Sequence, residues 1–231
     1  MQTPAALGAI ATRTMPSVLC AAGSVVERSP VAGLERLGIK LRFARNAEIY
    51  AEGDDADRWY KVISGTVRSC KLLADGRRYI ARFFFSGDFF GLDAAGTHGH
   101  AAEAVDDIVL LAYPRLAVER LAESDATLAR RLRALVLLDL ADAHRQVLLL
   151  GRKTALERVA TFLLEVADRT ECDHEIDLPM SRADIADHLG LTTETVSRTI
   201  SLLKLQGVAR VSSRAQRLAL RDRTALAAIA G

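Results

Sequence analysis

From residue 125 to residue 152 the chain has no proline and no glycine before Gly151, while Leu128, Leu132, Leu135, Leu138, Val147 and Leu150 recur at helical spacing. A run of good helix formers of that length specifies one helix of about 25 residues, opened by Asp125. Upstream the texture is different. Between about Leu41 and Tyr113 the glycines at 53, 65, 76 and 87 are separated by 12, 11 and 11 residues. The runs at 59–63, 66–70, 79–85 and 108–111 are rich in β-branched and aromatic residues. Short strands at that spacing predict an antiparallel sandwich, barrel or jelly roll.

The long helix is apolar on more than one face. Residues 135–138 read Leu-Val-Leu-Leu and residues 147–150 read Val-Leu-Leu-Leu. One face can pack on the β-rich half, and the other needs cover. A second copy of the same helix is the commonest cover, with Leu128, Leu132, Leu135 and Leu138 as the expected dimer interface. The alternative is a helix buried entirely within one subunit. A further amphipathic helix is expected from Leu156 to Arg169, followed by an acidic loop with Glu171, Asp173, Glu175 and Asp177 that Pro179 closes.

Half the residues are apolar and 26% are charged, which places the chain among ordinary globular proteins and outside the fibrous, disordered and disulfide-scaffold classes. The formal net charge is only +2, so any surface for a polyanion must come from uneven distribution. Such a surface exists near the C-terminus. Between Ser181 and Arg223 eight basic residues face four acidic ones.

Within that basic segment Ser181 and Asp184 have capping-box spacing, Ile185, Ala186 and Leu189 form an apolar face, and Gly190 stops a helix of about two turns. Thr192 then caps a second helix, expected over 193–206 and ended by Gly207. Two capped helices joined by a glycine turn make a helix-turn-helix. Val196, Ile200 and Leu203 share one face of the second helix, while Glu194, Ser197, Arg198 and Ser201 share the opposite stripe. Arg can take both guanine acceptors, Glu can accept from the cytosine amino group, and Ser can serve either strand. Glu194, Ser197 and Arg198 are therefore the expected base-contacting residues. Ser181, Arg182, Thr192 and Thr195, near helix N-termini, and Arg214, at the tip of an alternating hairpin over 208–220, are the expected backbone contacts. Taken alone, Glu194 and Arg198 would read as an ordinary i,i+4 ion pair; the two caps, the basic excess and the hairpin favour double-stranded DNA as the partner.

The string from Ile185 to Arg198, IADHLGLTTETVSR, resembles the helix-turn-helix of the CRP/FNR superfamily of transcription regulators. Its Glu-x-x-Ser-Arg spacing is similar to that of the FNR and FixK branch, which recognises TTGA-type half-sites. The resemblance extends upstream through Gly65, Asp75-Gly76-Arg77-Arg78 and Gly87-Asp88-Phe89-Phe90-Gly91. It implies an α+β chain with an N-terminal extension (1–30), a β-roll sensor-like domain (31–122), a dimerisation helix (123–152) and a winged helix-turn-helix (153–231). It also implies a homodimeric transcription factor, an activator with RNA polymerase as a second partner, and no enzymatic activity.

Cyclic-nucleotide-binding relatives hold the phosphate with an Arg-Ser pair, yet residues 83 to 114 contain no Lys or Arg. A buried cyclic phosphate without a cation is hard to stabilise, so no cyclic nucleotide is expected. Oxygen-sensing FNR proteins carry an iron–sulfur cluster, for which Cys20 and Cys70 supply too few ligands. Cys70 is expected to pack in a strand, and Cys172 in the acidic loop is the candidate for redox control. No cofactor is therefore expected, although a haem or small-molecule effector in the β-roll is compatible with the residues. His98, His100 and Glu103 resemble part of a cupin metal site, the alternative from a different class, with Glu103 one residue early for that spacing. Met1 to Val26 lacks the basic start of a signal peptide, and no uncharged run approaches the roughly 18 residues of a membrane span, so a cytoplasmic protein is expected.

Overall fold

The computed structural model describes residues 34–172, 175–211 and 217–231. Arg214 and Cys20 therefore lie outside the described residues. After a 3₁₀ turn at Leu34–Arg36 come β1 (Ile39–Phe43), β2 (Glu48–Tyr50), β3 (Arg58–Ser64), β4 (Val67–Leu72), β5 (Arg78–Phe84), β6 (Phe89–Phe90), β7 (Ala101–Ala104) and β8 (Ile108–Pro114). They form two four-stranded antiparallel sheets, ordered β1-β8-β3-β6 and β2-β7-β4-β5. The four strands expected from the sequence are β3, β4, β5 and β8. β1, whose Ile39-Lys40-Leu41-Arg42-Phe43 alternates apolar and polar, and the short β2, β6 and β7 complete the sheets, and only in the last three does brevity hide the period-2 signal.

Tyr50, Tyr60, Val62, Val67, Phe84, Phe90, Ile108 and Leu110 fill the space between the sheets. Gly65 turns β3 into β4 at φ +85°, and a Cβ there would lie 2.7 Å from the Asp107 carbonyl oxygen and from Ile108 Cγ2. No other residue fits that position.

Helices α1 (Arg115–Ser124) and α2 (Ala126–Arg152) follow. Helix α1 lies outside the expected elements, and its start runs on directly from β8. The Asp125 carboxylate accepts from the backbone N–H groups of Thr127 and Leu128, which separates the two helices. Next come α3 (Ala155–Arg169), β9 (Glu175–Asp177), α4 (Arg182–Leu189), α5 (Thr193–Leu205), β10 (Ala209–Val211), β11 (Arg217–Leu220) and α6 (Arg223–Ala230). The segment expected as an acidic loop contributes β9, which pairs with β11 in a three-stranded sheet ordered β10-β11-β9.

Of the four residues expected at the dimer interface, Leu128 and Leu132 face the chain's own core. Leu128 is fully buried against Leu34, Tyr113 and Val118, Leu132 packs on the same cluster, and Leu135 and Leu138 are half-buried. The exposed apolar stripe of α2 consists instead of Val136, Leu137, Leu140, Val147 and Leu148. Periodicity identified the helix correctly but could not say which of two apolar faces meets its own β-roll.

The C-terminal half does not hang free of the β-roll. One continuous core joins Cys70, Ile80, Phe83 and Phe85 of the β-roll to Phe162, Leu163, Ile185, Leu189, Val196 and Ile200. On β5 the side chains alternate: Phe84 points between the sheets, while Phe83 meets Phe162 edge-on with ring centroids 6.0 Å apart.

Candidate nucleic-acid interface

Helix α4 begins at Ser181, whose hydroxyl accepts from the Asp184 backbone N–H at 3.0 Å, while Asp184 Oδ2 accepts from the Ser181 backbone N–H at 2.9 Å. This is the expected capping box, and Gly190 ends the helix in the left-handed region at φ 61°. Thr192 caps α5 by accepting from the Thr195 backbone N–H at 3.2 Å. Val196, Ile200 and Leu203 of α5 are buried against α4 and α3. Burying three such side chains is worth roughly 1.5–3 kcal/mol each, which holds α5 with its other face outward.

That outward face carries Glu194, Ser197 and Arg198, all exposed. Arg198 has no ion pair or hydrogen bond among the described residues, so its guanidinium fork is free for an incoming acceptor. The Glu194 carboxyl is held below the usual carboxylate range by its own backbone N–H at the helix start and by the Thr192 hydroxyl, with Arg198 the weakest contributor. The ordinary i,i+4 ion pair is thus not what orders this stripe. Glu194 stays ionised, an acceptor beside a donor one turn away.

The expected backbone contacts divide into two groups. Thr192 and Thr195 sit together at the start of α5, their hydroxyl oxygens 3.0 Å apart. Ser181 is committed to its capping box, donating from its hydroxyl to Asp184 Oδ2 at 2.8 Å. Arg182 is half-buried, and burial lowers its pKa. Two cations of the C-terminal excess are neutralised by the fold: Arg217 pairs with Asp177 at 2.7 Å and Arg223 pairs with Asp168. Lys204, Arg210 and Arg221 remain exposed.

What the sequence could not show is how the reader is mounted. His188 of α4 is buried, its Nδ1 donating to the Ile80 carbonyl at 3.0 Å, between Phe83 and Phe162. Burial pushes its pKa down and outweighs the Ile80 hydrogen bond, which favours the charged form, while Arg82 adds to the lowering. Asp184, buried at the same boundary, accepts from Arg68 and Arg78 of the β-roll. Burial raises its pKa, but Ser181 and the two guanidiniums together hold it below the ordinary carboxylate value.

The remaining candidates resolve differently. Cys70 is buried on β4, and burial, with Glu103 nearby, raises its thiol to about 11. Cys172 is half-buried and donates from Sγ to the Thr170 carbonyl. His98, His100 and Glu103 do not converge on a metal. His98 is buried, stacked on Tyr50 at 3.5 Å between centroids and bonded to Asp93 at 2.8 Å, whereas Glu103 is taken by Arg68. Among the described residues no group of three or more His, Cys, Asp or Glu side chains is placed to hold a metal ion, and no helix is long and apolar enough to cross a membrane.

Two family models match this chain: a cyclic nucleotide-binding domain over residues 40–125 and a Crp-like helix-turn-helix domain over 157–229. The nitrogen fixation regulation protein FixK of Azorhizobium caulinodans is 46% identical over 202 residues, covering 85% of this chain and 81% of the relative. The transcriptional activatory protein AadR of Rhodopseudomonas palustris is 37% identical, covering 74% of this chain and 73% of the relative. Among solved structures, FixK2 from Bradyrhizobium japonicum superposes with a TM-score of 0.81 at 44% identity, covering 84% of this chain and 98% of that one.

Proposed function

The chain belongs to the CRP/FNR family of DNA-binding transcription regulators, among relatives of FixK type, and from that footing we propose that it is a cytoplasmic homodimeric activator whose two α5 helices read a palindrome of TTGA-type half-sites. The observation that carries this reading is the exposed triplet Glu194, Ser197 and Arg198 beside the N-terminus of a helix whose opposite face is locked in the core. Such a helix can enter the major groove with its N-terminal residues on base edges. Thr192 and Thr195 supply phosphate donors at the same end.

Two reading helices must stand about one helical turn of DNA, roughly 34 Å, apart. The exposed stripe Val136, Leu137, Leu140, Val147 and Leu148 supports pairing of α2 with its copy, since a self-complementary apolar face is what a two-fold dimer buries. RNA polymerase is the second partner of an activator.

Binding needs no cyclic nucleotide in this reading. Residues 83–114 offer no cation for a phosphate, and the interior between the sheets is occupied by Tyr50, Tyr60, Phe84, Phe90 and His98 in mutual ring contact. Selection of sites from random DNA by purified, effector-free protein tests the whole proposal. A TTGA-containing palindrome is the expected product; enrichment that requires added cyclic AMP would remove the effector-free part, and no enriched sequence would remove the reading itself.

A further inference from the structure

The boundary between the β-roll and α4 is built from charge as well as apolar contact. Arg68 of β4 donates through Nε to Glu103 Oε2 at 2.8 Å and through Nη1 to Asp184 Oδ1 at 3.2 Å. Its side chain is only 10% exposed and that of Asp184 only 6%, so water screens this pair poorly. Arg78 of β5 reaches Asp184 with Nη2 and Asp187 Oδ2 with Nε at 2.8 Å. Asp184 thus spends Oδ1 on two arginines and Oδ2 on the backbone N–H and hydroxyl of Ser181. One carboxylate both starts the first helix of the reader and ties that helix to the sheet.

We propose that Arg68 and Arg78 are positioning residues for DNA recognition: they clamp α4 to the β4–β5 face and thereby hold the recognition helix in its DNA-reading orientation without an effector. The inference rests on the DNA reading above and adds what sets its geometry. Apolar contact through His188, Phe83 and Phe162 gives adhesion, but it tolerates sliding. A forked guanidinium fixes distance and direction together, and two forks on one helix fix its rotation as well. Because α4 and α5 share the core of Ile185, Leu189, Val196 and Ile200, whatever orients α4 orients α5. The clamp joins residues 116 and 106 positions apart in sequence, so it links two domains rather than trimming one.

The test uses the full-length chain and the palindrome that the wild type selects, the same site with its half-site spacing changed by two base pairs, and a single half-site. Arg68→Met with Arg78→Met is expected to lower affinity for the native palindrome about tenfold, to erase the preference for native spacing, and to change half-site affinity less than twofold. Hydrogen exchange of the peptides spanning 78–84 and 182–189 should become at least tenfold faster in that variant, with α3 unaffected. Should the double variant not fold, the single variants decide: Arg78→Met loses the spacing preference, and Arg78→Lys, which keeps a cation beside Asp184 and Asp187, recovers part of it. Unchanged spacing preference, unchanged exchange or an Arg78→Lys variant no better than Arg78→Met overturns the clamp. A wild type that selects no sequence defeats the DNA reading, while the exchange measurement still decides whether the arginines hold α4.

Discussion

Arg158, in the first turn of α3, donates through Nη1 to the main-chain carbonyl of Leu189, the last residue of α4, at 2.9 Å. The same guanidinium reaches the Leu150 carbonyl through Nη2 at 2.8 Å and the Lys153 carbonyl through Nε at 2.9 Å. One planar group thus serves carbonyls left unpaired at the ends of α2 and α4 and across the bend into α3. It stands where the long helix hands over to the reader.

Replacing Arg158 by Ala leaves those three half-buried carbonyls without their charged donor. Hydrogen bonds to charged groups are worth about 1.5–3 kcal/mol each when buried, and partial exposure reduces that, so a total loss of about 2–4 kcal/mol is expected. Arg158→Lys should recover less than half, because an ammonium cannot span three acceptors in a fork. Urea unfolding measures both variants; a loss below about 1 kcal/mol for the Ala variant would mean that water takes over the carbonyls.

The two apolar faces of α2 should separate cleanly under mutation. Leu128→Ala, at a fully buried position, is expected to lower stability by about 2–5 kcal/mol without changing the oligomeric state. Leu140→Glu or Val136→Glu, on the exposed stripe, should yield folded monomers that bind a palindrome no better than a half-site. Sedimentation decides, and a Leu140→Glu dimer would place the seam elsewhere.

On α5, Arg198→Ala should remove about 1–3 kcal/mol of discrimination per half-site, and Glu194→Ala should relax the preference at one base pair. The free guanidinium of Arg198 means that the loss falls on DNA and not on folding, so thermal stability should be unchanged. Arg214→Ala, at an expected backbone contact, serves as the comparison, expected to weaken all sequences alike. Equal loss on cognate and single-base-substituted sites would make Arg198 a phosphate contact.

His188 gives the folded state a defined pH dependence. Its folded pKa lies below the ordinary value of about 6.5, so as pH falls below 6.5 the unfolded chain takes up a proton that the folded chain refuses. Stability should therefore fall progressively below pH 6.5. Asp184 works in the same direction but lower: its depressed pKa contributes stability that is present above about pH 4 and lost only as pH drops further. His188→Phe should be less stable at pH 8, since the Ile80 carbonyl loses its donor, yet flatter between pH 6.5 and 5. Denaturant midpoints across that range check it, and an unchanged slope would assign the titration to another group.

The reader itself was legible in the residues, because everything that defines it is local. Ser181 and Asp184, Thr192 and Gly190 act within four positions of one another, and the outward stripe of α5 follows from helical period alone. Glu194, Ser197 and Arg198 lie where that period puts them. The mounting was not legible. Phe83, Phe84 and Phe85 read as one apolar run, and only the covering of the sheet by α3 and α4 makes Phe84 face inward and Phe83 outward. Nothing near Asp184 in the chain announces Arg68 or Arg78, and nothing in the leucine pattern of α2 says that Leu128 meets Tyr113 while Leu140 meets solvent. Local hydrogen bonding and periodicity determine which helices form and what they present. The pairing of distant faces and charges depends on the competition among all surfaces for burial, and that is decided only when the whole chain packs.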